Sequence, residues 1–238
     1  ACLQLTCLLK NIKIQLGKAE RIPLDTSFYY TVQSPFCQQI MRFFFLKTIL
    51  FQGDSITDCG RSREDDSMLG IGYPLLTASE LGFEEPNSYK FINRGIGGNR
   101  IVDVYARIKT DIINLKPDVM SLLIGVNDVW HEIDWQNGVD ADKFFKIYCM
   151  LIEEIKAALP NIKIMIMAPY VTSGTATSAT DERLNSFRTE VSKRAEKAKE
   201  VAEKYGLTFI PLQDKFDEAE KLAPIEHWTQ DGVHPTSF

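Results

Sequence analysis

From Lys47 onward, short apolar runs alternate with longer segments whose apolar residues recur every three or four positions. The runs at 48–51, 90–93, 119–124, 162–168 and 207–211 read as strands. Four of them are nearly continuously apolar, as strands covered on both faces are. Between them, Ile101, Val104, Tyr105, Ile108, Ile112 and Leu115 share a helical spacing. So do Phe144, Tyr148, Leu151, Ile155 and Leu159, a segment that must end at Pro160. Strand and helix in strict alternation dictate an α/β fold, a parallel sheet between layers of helices joined by right-handed crossovers. Ligands of such sheets bind beyond the carboxyl ends of the strands, so the loops after each strand are where chemistry is expected.

The first 46 residues do not join this rhythm and read as an N-terminal extension of unknown role, leaving 47–238 as the domain that carries the pattern. Residues 181–205 are dense in Glu, Lys and Arg at helical spacing and read as a solvated helix face. The balance of 27 basic against 32 acidic residues, net −5, argues against nucleic acid or an anionic membrane as partner. No apolar run approaches the roughly 18 residues of a membrane span, the stretch at 43–51 being interrupted by Lys47. Five scattered cysteines with no C-x-x-C pair suggest neither a disulfide framework nor a zinc site, and a reducing, cytoplasmic setting is expected.

Four loops carry residues capable of chemistry. Gly53-Asp54-Ser55-Ile56-Thr57-Asp58 follows the first strand and offers a serine at a sharp turn, although Asp and Ser are also common helix caps. Asn93-Arg94-Gly95-Ile96-Gly97-Gly98-Asn99 follows the second; its glycines allow close approach of a ligand to backbone N–H groups, or simply a tight turn, and the spacing is not that of a dinucleotide loop. After the third, Asn127 could donate to developing negative charge without titrating, or close an Asx turn. Near the C-terminus, Asp231 stands three residues before His234, a spacing at which a carboxylate can orient an imidazole and stabilise its cation. Asp128 and His131 repeat that spacing, so spacing alone leaves two candidate pairs.

Together the four segments resemble the blocks of the SGNH subgroup of the GDSL esterase family, in the same order. The resemblance implies a five-stranded, flavodoxin-like SGNH hydrolase fold with Ser55 as nucleophile, His234 as base, Asp231 as its orienting acid, and an oxyanion hole made by the Ser55 and Gly98 N–H groups with the Asn127 side chain. Gly53 to Arg61, Gly72-Tyr73 and Asn127-Asp128-Val129-Trp130 are closest to the branch containing acetylxylan esterases and other carbohydrate deacetylases. The implied substrate is a short acyl, usually acetyl, ester on a sugar, with no cofactor and no metal. Asp54, Trp130, His131 and Trp228 are the candidate substrate contacts, the tryptophans for their flat apolar faces. Family members continue into a closing helix after the histidine block, which is expected to be missing here.

Three other readings bear on the same residues. A lipid esterase of the same fold would use the same triad on a different alcohol. A metal-dependent phosphoesterase would enlist Asp54, Asp128, Asp231 and the histidines, whose spacing matches no metal motif. A non-catalytic sugar-binding module would need none of the triad chemistry. A homo-oligomer is common among α/β enzymes.

Overall fold

The structure, a computed structural model, describes residues 10–13, 15 and 46–236. Five parallel strands, β1 (Lys47–Gly53), β2 (Tyr89–Asn93), β3 (Val119–Leu123), β4 (Lys163–Met167) and β5 (Thr208–Ile210), form one sheet in the order β2-β1-β3-β4-β5. This is the flavodoxin-like order. All five expected strands are present. Their ends shift by one or two residues because strand ends are set by pairing partners: β1, for example, continues to Gly53 through its register with Leu123.

The helices are α1 (Ser55–Asp58), α2 (Tyr73–Glu84), α3 (Ile101–Ala106), α4 (Ile108–Asp111), α5 (Val126–Trp135), α6 (Ala141–Ala158), α7 (Asp181–Tyr205), α8 (Gln213–Glu220) and α9 (Ile225–Trp228), with a 3₁₀ turn at Ile113–Leu115. Alternate residues of a strand face opposite layers. Ile49 and Phe51 therefore pack with Tyr73, Leu81, Phe187 and Phe216, whereas Leu50 packs on the other face with Ile101, Val104 and the inner stripe of α6. The helical spacing over 101–115 yields three short pieces, because the chain leaves helical geometry at Arg107 and again at Ile112. Helix α7 spans the segment read as a solvated face, but it also buries Phe187, Val191, Ala198, Val201 and even Arg194, whose guanidinium binds Glu190 and the Val139 carbonyl.

Within the N-terminal segment, residues 10–13 are helical, Ile12 is buried in the same cluster as Ile49 and Phe51, and Lys13 pairs with Glu80 and Glu84. The other expectations for residues 1–45, and that of a closing helix after His234, lie outside the described residues. No described helix is long and apolar enough to cross a membrane.

Candidate active site

The strand order reverses between β1 and β3, and Ser55 stands where β1 ends beside them. The turn out of β1 requires a glycine: a Cβ on Gly53 would lie 2.3 Å from the Leu123 carbonyl oxygen and 2.4 Å from Thr57 Oγ1. Asp54 then caps α1, its Oδ1 accepting from the Ile56 N–H at 3.0 Å, and Ser55 becomes the first helical residue.

Ser55 Oγ lies 2.7 Å from His234 Nε2, and His234 Nδ1 lies 2.5 Å from Asp231 Oδ2. The other Asp231 oxygen accepts the Val233 and His234 N–H groups at 2.9 and 2.8 Å. Burial pushes the Asp231 carboxyl up, but the ring and these two amides outweigh it and hold it at about 2. The same Asp231 contact raises the His234 pKa against the opposing effect of burial. Serine, imidazole and ionised carboxylate thus form one hydrogen-bonded chain.

Beside it, the backbone N–H groups of the glycine loop divide into two kinds. Those of Gly95, Ile96, Gly97 and Asn99 are bound by Asn93 Oδ1, the Gly53 carbonyl, Asp58 Oδ2 and the Ile96 carbonyl. The N–H groups of Gly98 and Ser55 have no acceptor among the described residues. Asn127 Nδ2 donates one hydrogen to the Asn99 carbonyl at 3.1 Å, leaving its second N–H uncommitted. A Cβ on Gly97 would stand 3.7 Å from Ser55 Cβ, so this loop borders the serine directly.

His234 sits on a turn outside the sheet. Gly232 adopts φ 93°, and a Cβ there would come within 2.1 Å of Thr177 Oγ1. Tyr170 Oη donates to the Val233 carbonyl at 2.8 Å, Thr172 N–H to the Gly232 carbonyl at 2.8 Å, and Ala176 N–H to the Asp231 carbonyl at 3.1 Å. A cavity of about 260 Å³ opens next to the serine, walled by Ser55, Cys59, Ile71, Tyr73, His234 and Pro235 among others.

The second Asp-x-x-His pair is not assembled. Asp128 directs both carboxylate oxygens to the Ile101 N–H, at 3.1 and 3.2 Å, and burial pushes its carboxyl well up. The His131 ring instead meets the edge of Trp135 at 4.9 Å, and its pKa is lowered by burial and by Arg100. The four expected substrate contacts, Asp54, Trp130, His131 and Trp228, lie around this cavity in different settings. Asp54 is 1% exposed and engaged in capping; Trp228 packs on the core and donates to the Ala223 carbonyl at 3.2 Å. Trp130 remains nearby, its ring centroid 6.3 Å from that of His234, with Nε1 anchored on Asp134. The aspartates of a metal-site reading have separate partners, and the described residues contain no cluster of three or more His, Cys, Asp or Glu able to hold a metal ion.

Sequence reasoning missed the supports of the site. Arg61, Arg63 and Arg107 bind carbonyls of the glycine loop and of Gly53. The 170–177 segment, which holds the His234 turn, follows β4, and the rule that loops after strands converge was the signal that could have found it.

The family model for GDSL-like lipases and acylhydrolases matches residues 51–237. The chain is 32% identical over 198 residues to an acetylxylan esterase of Geobacillus stearothermophilus, covering 79% of this chain and 86% of that one. The structure of an acetylxylan esterase from that organism superposes with a TM-score of 0.70 at 31% identity, covering 80% of this chain and 87% of the other. A GDSL-like protein from Parabacteroides merdae superposes at 0.74 with 35% identity, covering 80% and 90%. A parallel sheet of this order defines a doubly wound α/β fold, with the serine at the switch point where ligands of such sheets bind. The chain belongs to the GDSL-like lipase/acylhydrolase family and is a carboxylic ester hydrolase.

Proposed function

We propose that the protein is a serine esterase that removes acetyl groups from carbohydrates through Ser55, His234 and Asp231. The observation that carries this reading is the unbroken chain from Ser55 Oγ through His234 to Asp231, at 2.7 and 2.5 Å. His234 takes the Ser55 proton as Oγ attacks the ester carbonyl, and Asp231 stabilises the imidazolium that forms. The carbonyl oxygen gains its negative charge against the Ser55 and Gly98 N–H groups and the free Asn127 amide hydrogen. The imidazolium then protonates the departing sugar oxygen, and water activated by His234 releases acetate from the acyl-serine.

The carbohydrate alcohol is supported by likeness to an acetylxylan esterase and by the flat Trp130 ring beside His234. A lipid ester is the second reading, favoured by Ile71, which walls the cavity yet is 78% exposed. Initial rates on acetylated xylo-oligosaccharides and on p-nitrophenyl esters from acetyl to octanoyl separate the two. Ser55→Ala is expected to lose at least about 10³-fold in kcat on every ester that the native enzyme cleaves. Native-like turnover in the purified, folded variant would sink the mechanism.

A further inference from the structure

Arg107 stands at the break between α3 and α4, outside all four motif segments, with its side chain 13% exposed. Its guanidinium makes four hydrogen bonds. Nη2 donates to the Gly53 carbonyl at 3.2 Å, Nη1 to the Arg94 carbonyl and to Asp111 Oδ2 at 2.8 Å each, and Nε to Asn99 Oδ1 at 2.9 Å. Asp111 fixes the charge in place, and the three remaining acceptors belong to the last residue of β1 and to the loop after β2.

Those acceptors are close in the chain to the three uncommitted donors. Gly53 is two residues before Ser55, Asn99 directly follows Gly98, and the Asn99 carbonyl is the acceptor that orients the Asn127 amide. A single planar fork thus sets the distance between the nucleophile loop and the glycine loop, and through Asn99 it reaches the loop after β3. Lysine, whose three donors sit on one nitrogen, cannot span four acceptors distributed over the three nitrogens of the guanidinium.

We propose that Arg107 is a positioning residue for the oxyanion-binding donors. This rests on the esterase reading above, in which Ser55, Gly98 and Asn127 receive the developing charge. Arg107 touches none of the reacting atoms; it acts by holding the peptide planes and the side chain that carry the donors. A displacement of about 1 Å at such a site costs about 10²-fold in rate, and the loss falls on the transition state because the ground-state carbonyl has little charge to stabilise.

The test is the steady-state kinetics of Arg107→Lys and Asn99→Ala on p-nitrophenyl acetate, normalised to folded protein by circular dichroism. The expected result is a fall in kcat of about 10- to 100-fold with KM changed less than about threefold. Arg107→Ala should recover part of its kcat on addition of guanidinium at concentrations that leave the native enzyme unaffected. Ile155→Val serves as the control for lost stability, since it thins the core at the end of α6 opposite the catalytic loops and should leave kcat per folded molecule unchanged. Native kcat in both Arg107→Lys and Asn99→Ala, or a loss confined to KM, overturns the inference. If Ser55→Ala is inactive in the same assay, that failure belongs to Arg107 alone; if Ser55→Ala is fully active, the esterase mechanism itself has failed.

Discussion

Ser55 and His234 meet at 2.7 Å, yet the segments that carry them are built by different means. Ser55 follows a strand paired on both sides, with Ile49, Leu50 and Phe51 fully buried and arginines bracing the neighbouring loops. His234 belongs to a short turn closed by an isolated bridge between Thr229 and Pro235 and steadied by hydrogen bonds from Tyr170, Thr172 and Ala176. The place of Ser55 is therefore dictated by the sheet, and that of His234 by a few bonds between two loops. Damage to the first side should appear in transition-state stabilisation; damage to the second should appear in the ionisation of the base or in the stability of its turn.

The most severe test of this contrast is Asp231→Asn. It removes the charge that raises the His234 pKa and orients the ring, and a loss of about 10⁴ in kcat is expected. The sign in pH is fixed: His234 must be neutral to act as base, so native kcat/KM rises with pH through a value above that of an ordinary imidazole. The acid limb of the residual activity should move to lower pH in the variant. An unmoved limb in a pH–rate profile would mean that another group supplies the base.

Asn127→Ala probes the opposite side and should lower kcat by about 10²–10³ with little change in KM or in the acid limb. An effect on KM alone would place Asn127 in ground-state binding. The smallest kinetic effect belongs to Tyr170→Phe, which leaves the Val233 carbonyl without its donor. An unpaired buried acceptor costs about 1–3 kcal/mol, which for a chain of this size lowers Tm by several degrees in a thermal melt, while kcat should fall less than about tenfold. Unchanged Tm with a large loss of kcat would show that the turn is held for chemistry and not for stability.

The strands could be read in the sequence because buried parallel strands write themselves as apolar runs; Val119 to Leu123 is such a case. The helix break at Arg107 could not be read, since Ile108 and Ile112 keep the apolar period across it and both are buried. The meeting of Ser55, Asp231 and His234 was foreseeable only through the order of the motifs, because Asp128 and His131 present the same spacing and the choice between them depends on the Ile101 N–H, a contact 27 residues away. The bracing arginines left no trace in the pattern. Most of their partners in the site loops are backbone carbonyls, which every residue possesses, and the i,i+4 spacing of Arg107 and Asp111 reads equally as an ordinary surface ion pair. Asp54 is buried and Trp228 is partly buried against the core, settings that their motif segments do not spell out, because a motif does not say which way its members point.

Asp54 ties the stability of the fold to pH. Burial pushes its carboxyl up to about 7, and Oδ2 has no hydrogen-bond partner among the described residues. Between about pH 4 and 7 the folded chain keeps a proton that the unfolded chain has already released, so folding free energy declines as pH rises through that range, by an amount on the order of 4 kcal/mol. The neutral imidazole needed at His234 becomes more abundant over the same rise. Between those two values rising pH favours the neutral imidazole while it removes the contribution of Asp54 to folding, and above them that contribution is already spent.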